Sequence, residues 1–436
     1  MLLFKLSKGI RLPCVPLVLI AFACHAYPSE GREMVGLFLS KADQERISGF
    51  DRSDDPRTRK PIKDLMRRAK SAAKDFADPF RMDDFTQIGF GWCDSSDKSG
   101  TLSELTGKLD RESSKMRDLA LAYVISGYKP YAVNAERYLL AWEDKGQLLN
   151  LYDLNIDFKS GSFDGMTEDG YCGHRPWNFA LDTMWQTYGL INASDAYLLL
   201  KNGGHKFKDE ARVRRWIRDL AEAVNSSFHA WTRWADHNES SRAYTRYRSD
   251  NHLSWCLAGL AAAGVSLGDR ELVQYVINGG SWNDSKGGEY RNPSSIKSVI
   301  ALAIEDEGET RGRIYEEKIR REPPVGYSFF HLWPMSLVAV ISERHGIEDV
   351  WDYCPEDQAG LKEAYRRYAE YILELRESPN PKQERRRNSY SWLFEIASSQ
   401  WPEERLFREA RDLGDRNKNT SQSIGPVSLI FSTKQD

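Results

Sequence analysis

The chain lacks the features that mark two large classes of protein. Its 61 lysines and arginines are balanced by 64 aspartates and glutamates, so the 436 residues carry a formal net charge of −3. Without a basic excess the surface has little means of displacing counterions from nucleic-acid phosphates, and we expect no nucleic-acid partner. Beyond the N-terminal segment no apolar stretch approaches the length of about 18 residues that a membrane helix needs, so we expect no membrane span.

Cysteine is also scarce, with six residues in the whole chain. Those beyond the N-terminal segment form neither a Cys-x-x-Cys pair nor a mixed cysteine and histidine spacing, and we therefore expect no metal site. In an oxidising compartment they can form disulfides in more than one pairing, and packing as free buried thiols is the alternative. They are Cys93, Cys172, Cys256 and Cys354.

The first 26 residues have the order of a secretory signal peptide. Three basic residues precede an apolar run over residues 12–23, and small residues follow as far as Ala26. A lipid-modified Cys24 is the less favoured alternative, because Phe22 is bulkier than such sites allow. We expect cleavage after Ala26 and a periplasmic or secreted mature chain.

Most of the mature chain has the apolar periodicity of α-helices. Met116, Leu119 and Tyr123 fall on one stripe, with Gly127 at its end. Alternating strand patterns are scarce, and residues 427–431 are the one weak candidate. Helical patterns like that of Met116–Tyr123 recur at Ala135–Trp142, Phe179–Leu200, Val213–Val224, His252–Gly264, Leu332–His345 and Leu361–Leu375.

Helices of this length, separated by long loops, predict antiparallel helical hairpins packed in layers or in a ring. No change of composition marks an internal boundary, and no fixed-period repeat is evident. We therefore expect a single all-α domain over residues 27–436. Within it, residues 27–110 are expected to form a rim or lid region, and residues 417–436 to be loosely held.

One segment places polar residues where a helix begins. Asp250 precedes an apolar helical pattern and is expected to be its N-cap, with Asn251 and His252 in the first turn. The alternative is a capping pair followed by an ordinary helical histidine.

Two further segments combine cationic and aromatic residues before a helix. Pro323 and Pro324 predict a stiff loop that holds Arg320 and Tyr327 ahead of a helix starting near Leu332. The alternatives are a surface pair of Arg320 with Glu317 and packing of Tyr327 at the helix entry. In the second of these segments His174, Arg175 and Trp177 would contact an anionic ligand or serve only as loop structure.

Together these side chains suit β-elimination on a uronic-acid polymer. Asn and Arg can neutralise the substrate carboxylate, while His and Tyr can act as base and acid near C5 and O4. The chain is 12% aromatic, and flat rings are used in sugar clefts, although any single ring is more often part of the core.

The order of several motifs resembles that of the alginate lyase family, in particular its poly(β-D-mannuronate) lyases. The segment Asp250–Trp255 is similar to the family's Asn-Asn-His-x-x-Trp signature, and Glu317-x-x-Arg320 with Tyr327 is similar to its Glu-x-x-Arg and Tyr signature. The resemblance extends over roughly residues 85–405. Its remaining parts are Arg117–Gly127, Tyr131, Leu140–Trp142, Tyr390–Glu395 and Trp401–Pro402.

The resemblance implies an (α/α) toroid, or incomplete barrel, with an open groove and no cofactor. It implies that His252 is a base or proton relay and that Asn251 and Arg320 neutralise the carboxylate. Tyr327 would donate the proton to O4, and in some mechanisms of the family this Tyr also takes the C5 proton. The substrate would be an anionic polysaccharide, and we expect a monomer. Weaker candidates for substrate binding are His174, Arg175, Trp177, Arg248, Trp255 and Lys98.

The chain also departs from the family pattern. Asp250 replaces the first Asn of the signature, Phe330 stands where members can carry a second Tyr, and Lys98 is only a provisional match to the lid lysine. Mannuronate-rich alginate is the expected substrate, with glucuronan or mixed uronates as the alternative. Two different kinds of protein also fit the residues: a non-catalytic polysaccharide-binding relative, and a glycoside hydrolase using two carboxylates, such as Asp250 and one from residues 305–307.

Overall fold

A computed structural model describes ten stretches of the chain, and the segment from Gly31 to Asp436 folds as one compact unit. The predicted signal peptide, residues 1–26, lies outside the described residues. The described stretches are residues 32–49, 56–79, 99–144, 175–237, 248–315, 324–354, 358–374, 389–414, 420–421 and 423–431.

The described residues are mainly α-helical. Two short antiparallel hairpins are also present, one pairing β1 (Gly280–Asn283) with β2 (Glu289–Asn292) and the other pairing β3 (Thr420–Ser421) with β4 (Gly425–Pro426). The helices are α1 (Lys41–Ser48), α2 (Pro56–Ala72), α3 (Ser99–Ser126), α4 (Lys129–Asp144), α5 (Arg175–Asn202), α6 (Glu210–His237), α7 (Asn251–Leu267), α8 (Arg270–Asn278), α9 (Ile296–Ala303), α10 (Pro324–Arg344), α11 (Leu361–Glu374), α12 (Leu393–Gln400), α13 (Arg405–Asp412) and α14 (Val427–Phe431).

The helices pack as an inner row with a second layer outside it. In the inner row α3 contacts α5, α5 contacts α7, and α7 contacts α10. The helix that follows each inner helix folds back onto it, so α4 lies on α3, α6 on α5, α8 on α7 and α11 on α10. This is the arrangement of helical hairpins expected for an (α/α) toroid.

Helix α7 is at the centre of this packing and is buried on all sides. Small residues allow its neighbours to approach closely. A Cβ on Gly259 would lie 3.1 Å from Thr187 of α5, and a Cβ on Gly264 would lie 2.7 Å from Val273 of α8. A helix that is apolar around its whole circumference is stable only in such a setting.

Helix α10 begins eight residues earlier than predicted. The sequence predicts a start near Leu332, because the two prolines favour a loop over this stretch. Instead Pro324 occupies the first turn, where its missing N–H costs no hydrogen bond, and Pro334 lies inside the helix. Among the described residues this is also the one helix, over Val325–Arg344, long and apolar enough to cross a membrane; it is mostly buried in the protein, as a core helix is.

Described residues near both ends of the compact unit pack against its core. Residues 427–431 form the short helix α14 rather than a strand, and its side chains are buried. Arg46 of α1 donates a 2.8 Å hydrogen bond to the carbonyl of Leu429. Near the other end, Val35–Leu39 is buried, and the N–H of Leu37 donates to Asp195 at 2.8 Å.

Two of the four cysteines beyond residue 26 are free thiols. Cys256 is buried in α7 and Cys354 is exposed. A disulfide among the four could therefore join only Cys93 and Cys172, which both lie outside the described residues.

Candidate active site

The start of α7 is fixed by a single carboxylate. Asp250 has the extended backbone of an N-cap, and its Oδ1 accepts hydrogen bonds from the N–H groups of His252 (3.0 Å) and Leu253 (3.3 Å). These are two of the donors that the first turn of a helix leaves without intrahelical partners. The prediction that Asp250 caps the helix and that Asn251 and His252 lie in its first turn is confirmed.

The same carboxylate orients the imidazole of His252. Its Oδ2 lies 3.1 Å from Nδ1 of His252. A carboxylate can only accept, so Nδ1 carries a proton, and the neutral form of the ring has its lone pair on Nε2. Asp250 therefore presents Nε2 as the basic atom of a histidine that is only 6% exposed.

Two more of the predicted residues lie beside this turn. Asn251 is buried next to His252 in the chain, with its side chain on the same end of α7. Arg248 is buried and donates a 3.0 Å hydrogen bond from Nη1 to Oγ of Ser294. Burial lowers the pKa of the Arg248 guanidinium, which still leaves it charged at neutral pH.

Tyr327 lies in the first turn of α10, the inner helix next to α7. The sequence predicts it in the loop before the helix, and the earlier start of α10 changes that position. The phenol is partly exposed, whereas the next turns of α10 are buried. The first turns of these two neighbouring helices thus contain three of the four predicted catalytic residues.

A buried hydrogen bond joins the two helices just below these turns. Oγ of Ser254 lies 2.6 Å from Nε2 of His331, and both side chains are fully buried. Ser254 is three residues after Asn251, and His331 is four residues after Tyr327, so each is about one helical turn deeper on the same face. The sequence analysis did not predict this pair, because its two residues lie 77 positions apart in the chain and no local pattern joins them.

Trp255 does not face the substrate side, which corrects its prediction as a binding residue. Its ring is fully buried and packs at 4.4 Å from Tyr188, 5.4 Å from Phe330 and 4.9 Å from Trp333. The ring fills the interface of α5, α7 and α10 and so supports the turn that carries His252. Phe330, where the family can carry a second Tyr, belongs to the same aromatic cluster.

Comparison with known proteins identifies the family of this chain. The family model described as "Alginate lyase" matches residues 63–378, which is more than two thirds of the chain. The chain belongs to the alginate lyase family. Comparison with curated proteins gives no significant match.

Solved alginate lyases share the fold of this family member. One from Bacteroides ovatus is 17% identical, with 92% of this chain and 100% of that chain covered and a TM-score of 0.54. A His-to-Ala variant of alginate lyase A1-III, complexed with a tetrasaccharide, is 14% identical with coverage of 95% and 100% and a TM-score of 0.55. The enzyme A1-III from Sphingomonas species A1 is 15% identical, with coverage of 94% and 99% and a TM-score of 0.52. The predicted (α/α) toroid is confirmed, and the chain is a polysaccharide lyase.

The hydrolase interpretation loses its support on two grounds. The family is one of lyases, and three of the carboxylates considered for a hydrolase, Asp250, Glu305 and Asp306, have structural partners. Glu305 accepts two hydrogen bonds from Arg313, at 2.9 and 2.6 Å, and Asp306 pairs with Arg311. The carboxylate of Asp250 is engaged as the N-cap of α7.

Several predicted site residues are not placed by the structure. Arg320, His174 and Lys98 lie outside the described residues. Arg175 and Trp177 fall in the first turn of α5, where only the backbone is described. Their predicted contacts with the substrate stay predictions.

Proposed function

We propose that this alginate lyase family member cleaves mannuronate-rich alginate by β-elimination. The observation that carries the proposal is the meeting of two helix N-termini, one with the oriented pair Asp250 and His252 and the other with Tyr327. Such a site combines a base whose Nδ1 is engaged by a carboxylate with a phenol that can act as an acid. The family resemblance of the segment around His252 supports mannuronate as the sugar.

In the proposed reaction the substrate carboxylate is neutralised first. Asn251 and Arg320 donate hydrogen bonds to it, which stabilises the negative charge that develops when C5 loses its proton. Nε2 of His252 accepts that proton, and Tyr327 donates its own to O4 as the C4–O4 bond breaks. The electron pair from C5–H forms the C4=C5 double bond, so the products are one unsaturated end and one new hydroxyl.

Burial supports this division of roles. His252 is nearly enclosed and has Nδ1 engaged by Asp250, so Nε2 is the atom it offers to a substrate. Tyr327 is more exposed and lies on the neighbouring helix. A base and an acid on separate rigid elements can flank a sugar ring without competing for the same atom.

The proposal is tested by following ultraviolet absorbance from new double bonds on polymannuronate, polyguluronate and glucuronan. We expect a rise in absorbance that is fastest on polymannuronate. Tyr327→Phe should lower the rate at least about 100-fold. The control Tyr128→Phe, which changes an exposed ring about 200 positions earlier in the chain, should leave the rate unchanged. A faster rise on glucuronan would replace the substrate. A flat trace from folded protein that still binds a polymer would indicate the non-catalytic relative.

We further propose that the enzyme works outside the cytoplasm as a monomer. The N-terminal signal pattern over residues 1–26 supports export, and a polymeric substrate is met outside the cell membrane. Cell fractionation of the expressed full chain, with N-terminal sequencing of the mature form, tests cleavage after Ala26; size-exclusion chromatography tests the monomer.

A further inference from the structure

Helix α2 and the turn that follows it are far more basic than the rest of the chain. Residues 56–74 contain eight lysines and arginines and one acidic residue, whereas the whole chain carries a net charge of −3. The remaining residues are therefore net negative. Such a local excess of positive charge indicates an anionic partner, even in a protein whose overall charge is close to zero.

The exposed cations of α2 form one stripe on the side opposite its buried face. The helix packs against α3 and α14, and its buried apolar residues are Ile62, Leu65, Ala69 and Ala72. The exposed cations recur every three or four residues, which is the spacing of one helical face, and the last of them lies in the turn after the helix. They are Lys60, Lys63, Arg67, Lys70 and Lys74. At 1.5 Å per residue the stripe is about 20 Å long.

Most of this charge is not neutralised by the protein itself. Arg67 lies 3.3 Å from Asp64, but its side chain is 75% exposed, and an ion pair in water binds weakly. In the part of the chain that the structure describes, the four lysines of the stripe pair with no carboxylate. Their charges repel one another on a helix that is held in place by its buried face. An external anionic surface would relieve that repulsion.

An exposed phenylalanine follows the stripe. Phe76 comes two residues after Lys74 and is 84% exposed, more than any other large apolar side chain among the described residues. An aromatic ring beside lysines is suited to the boundary of a lipid bilayer, because the ring can enter the interface while the ammonium groups contact the headgroups.

The chemistry of the stripe favours a lipid surface over a single polymer chain. Lysine offers a point charge on a flexible stem, whereas arginine forks are the usual means of recognising an individual phosphate or carboxylate. The four lysines also line no part of the cavity beside α2, whose walls include Arg68 and Ser71. A row of lysines outside any groove matches a broad anionic surface, and clusters of about four to eight basic residues on a helix are typical of binding to anionic headgroups.

We propose that the cationic stripe of α2, together with Phe76, docks the protein on membranes that contain anionic phospholipid. The ammonium groups contact headgroup phosphates, and the ring of Phe76 enters the interface. The apolar face of α2 stays in the protein core, so the attachment is peripheral and reversible. The docking does not depend on the proposed reaction, because none of these side chains belongs to the candidate active site.

The test measures the binding of the chain from Tyr27 onward to sedimented vesicles. This chain contains the whole compact unit and lacks the apolar run of residues 12–23, which would bind lipid by itself. The vesicles consist of phosphatidylcholine alone, or of phosphatidylcholine with about 30% phosphatidylglycerol. We expect binding to the anionic vesicles only, and release at about 1 M NaCl, where the Debye length is about 3 Å.

Two triple variants with the same loss of charge are compared. The stripe variant is Lys60→Gln/Lys63→Gln/Lys70→Gln. The control, which removes three exposed lysines from other parts of the surface, is Lys129→Gln/Lys206→Gln/Lys208→Gln. We expect the stripe variant to lower the partition coefficient on anionic vesicles at least about tenfold and the control to lower it less than about twofold. Circular dichroism checks that both variants are folded.

The role of the ring is tested separately. Phe76→Ser should lower the partition coefficient about threefold or more, because it removes the apolar contact with the interface. It should leave the release by salt unchanged, since the lysines are still present.

Equal partition of the stripe variant and the control would overturn the proposal, as would equal binding of the wild type to both kinds of vesicle or to neither. A polysaccharide is the other class of partner, and affinity electrophoresis through gels containing polymannuronate tests it. If the wild type binds no vesicle, and retardation in the gel is lost only in the stripe variant, then the stripe binds polymer and the lipid proposal is wrong.

Discussion

Oδ2 of Asp250 lies 3.1 Å from Nδ1 of His252, while Oδ1 of the same carboxylate accepts two backbone N–H groups of α7. One side chain thereby couples the start of a buried helix to the tautomer of the proposed base. A change at Asp250 therefore affects stability and activity by separable routes.

The two routes are separated by Asp250→Asn and Asp250→Ala. Asn is as good an N-cap as Asp, so we expect Asp250→Asn to keep stability within about 0.5 kcal/mol. Its single oxygen then accepts the backbone N–H groups, and its NH2 group, a donor, faces Nδ1 of His252 and favours the tautomer with the proton on Nε2, so we expect a loss of about 100-fold or more in kcat/KM. Asp250→Ala removes both functions, with an expected cost of about 1–2 kcal/mol and of about 100-fold in kcat/KM. Denaturant unfolding and absorbance kinetics measure the two quantities. Wild-type activity of Asp250→Asn would show that Asp250 acts only as a cap.

The hydrogen bond between Ser254 and His331 is predicted to set the distance between the two helix starts. Ser254→Ala leaves a buried histidine nitrogen without this partner, at an expected cost of about 1–3 kcal/mol. Because His252 and Tyr327 would then be held less firmly, we expect kcat to fall about tenfold or more. Unfolding and initial-rate measurements check both effects.

A matched control for that variant is Ser336→Ala. Ser336, like Ser254, is a fully buried serine, but it lies on α10. Its Oγ lies 2.7 Å from the hydroxyl of Tyr365 on α11. It should lose similar stability with kcat unchanged. If both serine variants lose kcat equally, the effect of Ser254 is one of general stability.

Local signals in the sequence predicted the first turn of α7 but not its surroundings. An acidic residue directly before an apolar helical run identifies an N-cap, so the positions of Asp250, Asn251 and His252 followed from neighbouring residues alone. The contact of Ser254 with His331 joins residues 77 apart in the chain, and no local pattern specifies it. Trp255 was misassigned for the same reason, since its burial depends on rings contributed by α5 and α10.

Two errors in secondary structure have a physical cause as well. A pair of prolines usually ends a helix, but a proline such as Pro324 can also occupy its first turn. In the folded protein the apolar turns after Pro324 are buried, and the helix begins at this residue. Residues 427–431 form an apolar run too short for its periodicity to separate a strand from a buried helix. Tertiary packing against α1 and α12 selects the helix.

The free cysteines are predicted to differ in reactivity. Burial raises the pKa of the Cys256 thiol, and the nearby Asp250 carboxylate adds to the shift, so little thiolate forms at neutral pH. Cys354 is exposed. Alkylation of the native protein followed by peptide mass spectrometry should modify Cys354 within minutes and Cys256 only after unfolding. Rapid labelling of Cys256 in the native state would show that α7 opens readily.

The dependence of stability on pH is predicted to include a contribution from His345. Its Nε2 lies 3.2 Å from the carbonyl of Leu37, and burial lowers its pKa from 6.5 to about 4. The unfolded chain therefore binds a proton between pH 6.5 and 4 that the folded protein does not, and stability falls as the pH falls through this window. Asp195, which binds the N–H of the same Leu37, has its pKa raised by burial from 3.8 to about 6 and so contributes an opposite slope between those values.

The two slopes are separated by comparing the wild type with His345→Gln, which can still donate to the carbonyl of Leu37 but does not titrate. We expect the stability of the wild type relative to this variant to fall by about 2–3 kcal/mol between pH 7 and pH 4, because a shift of one unit corresponds to about 1.4 kcal/mol. Urea unfolding at half-unit intervals of pH measures the difference. Asp195 is present in both proteins, so its contribution cancels, and parallel curves for the two proteins would mean that His345 titrates in the folded state as it does in water.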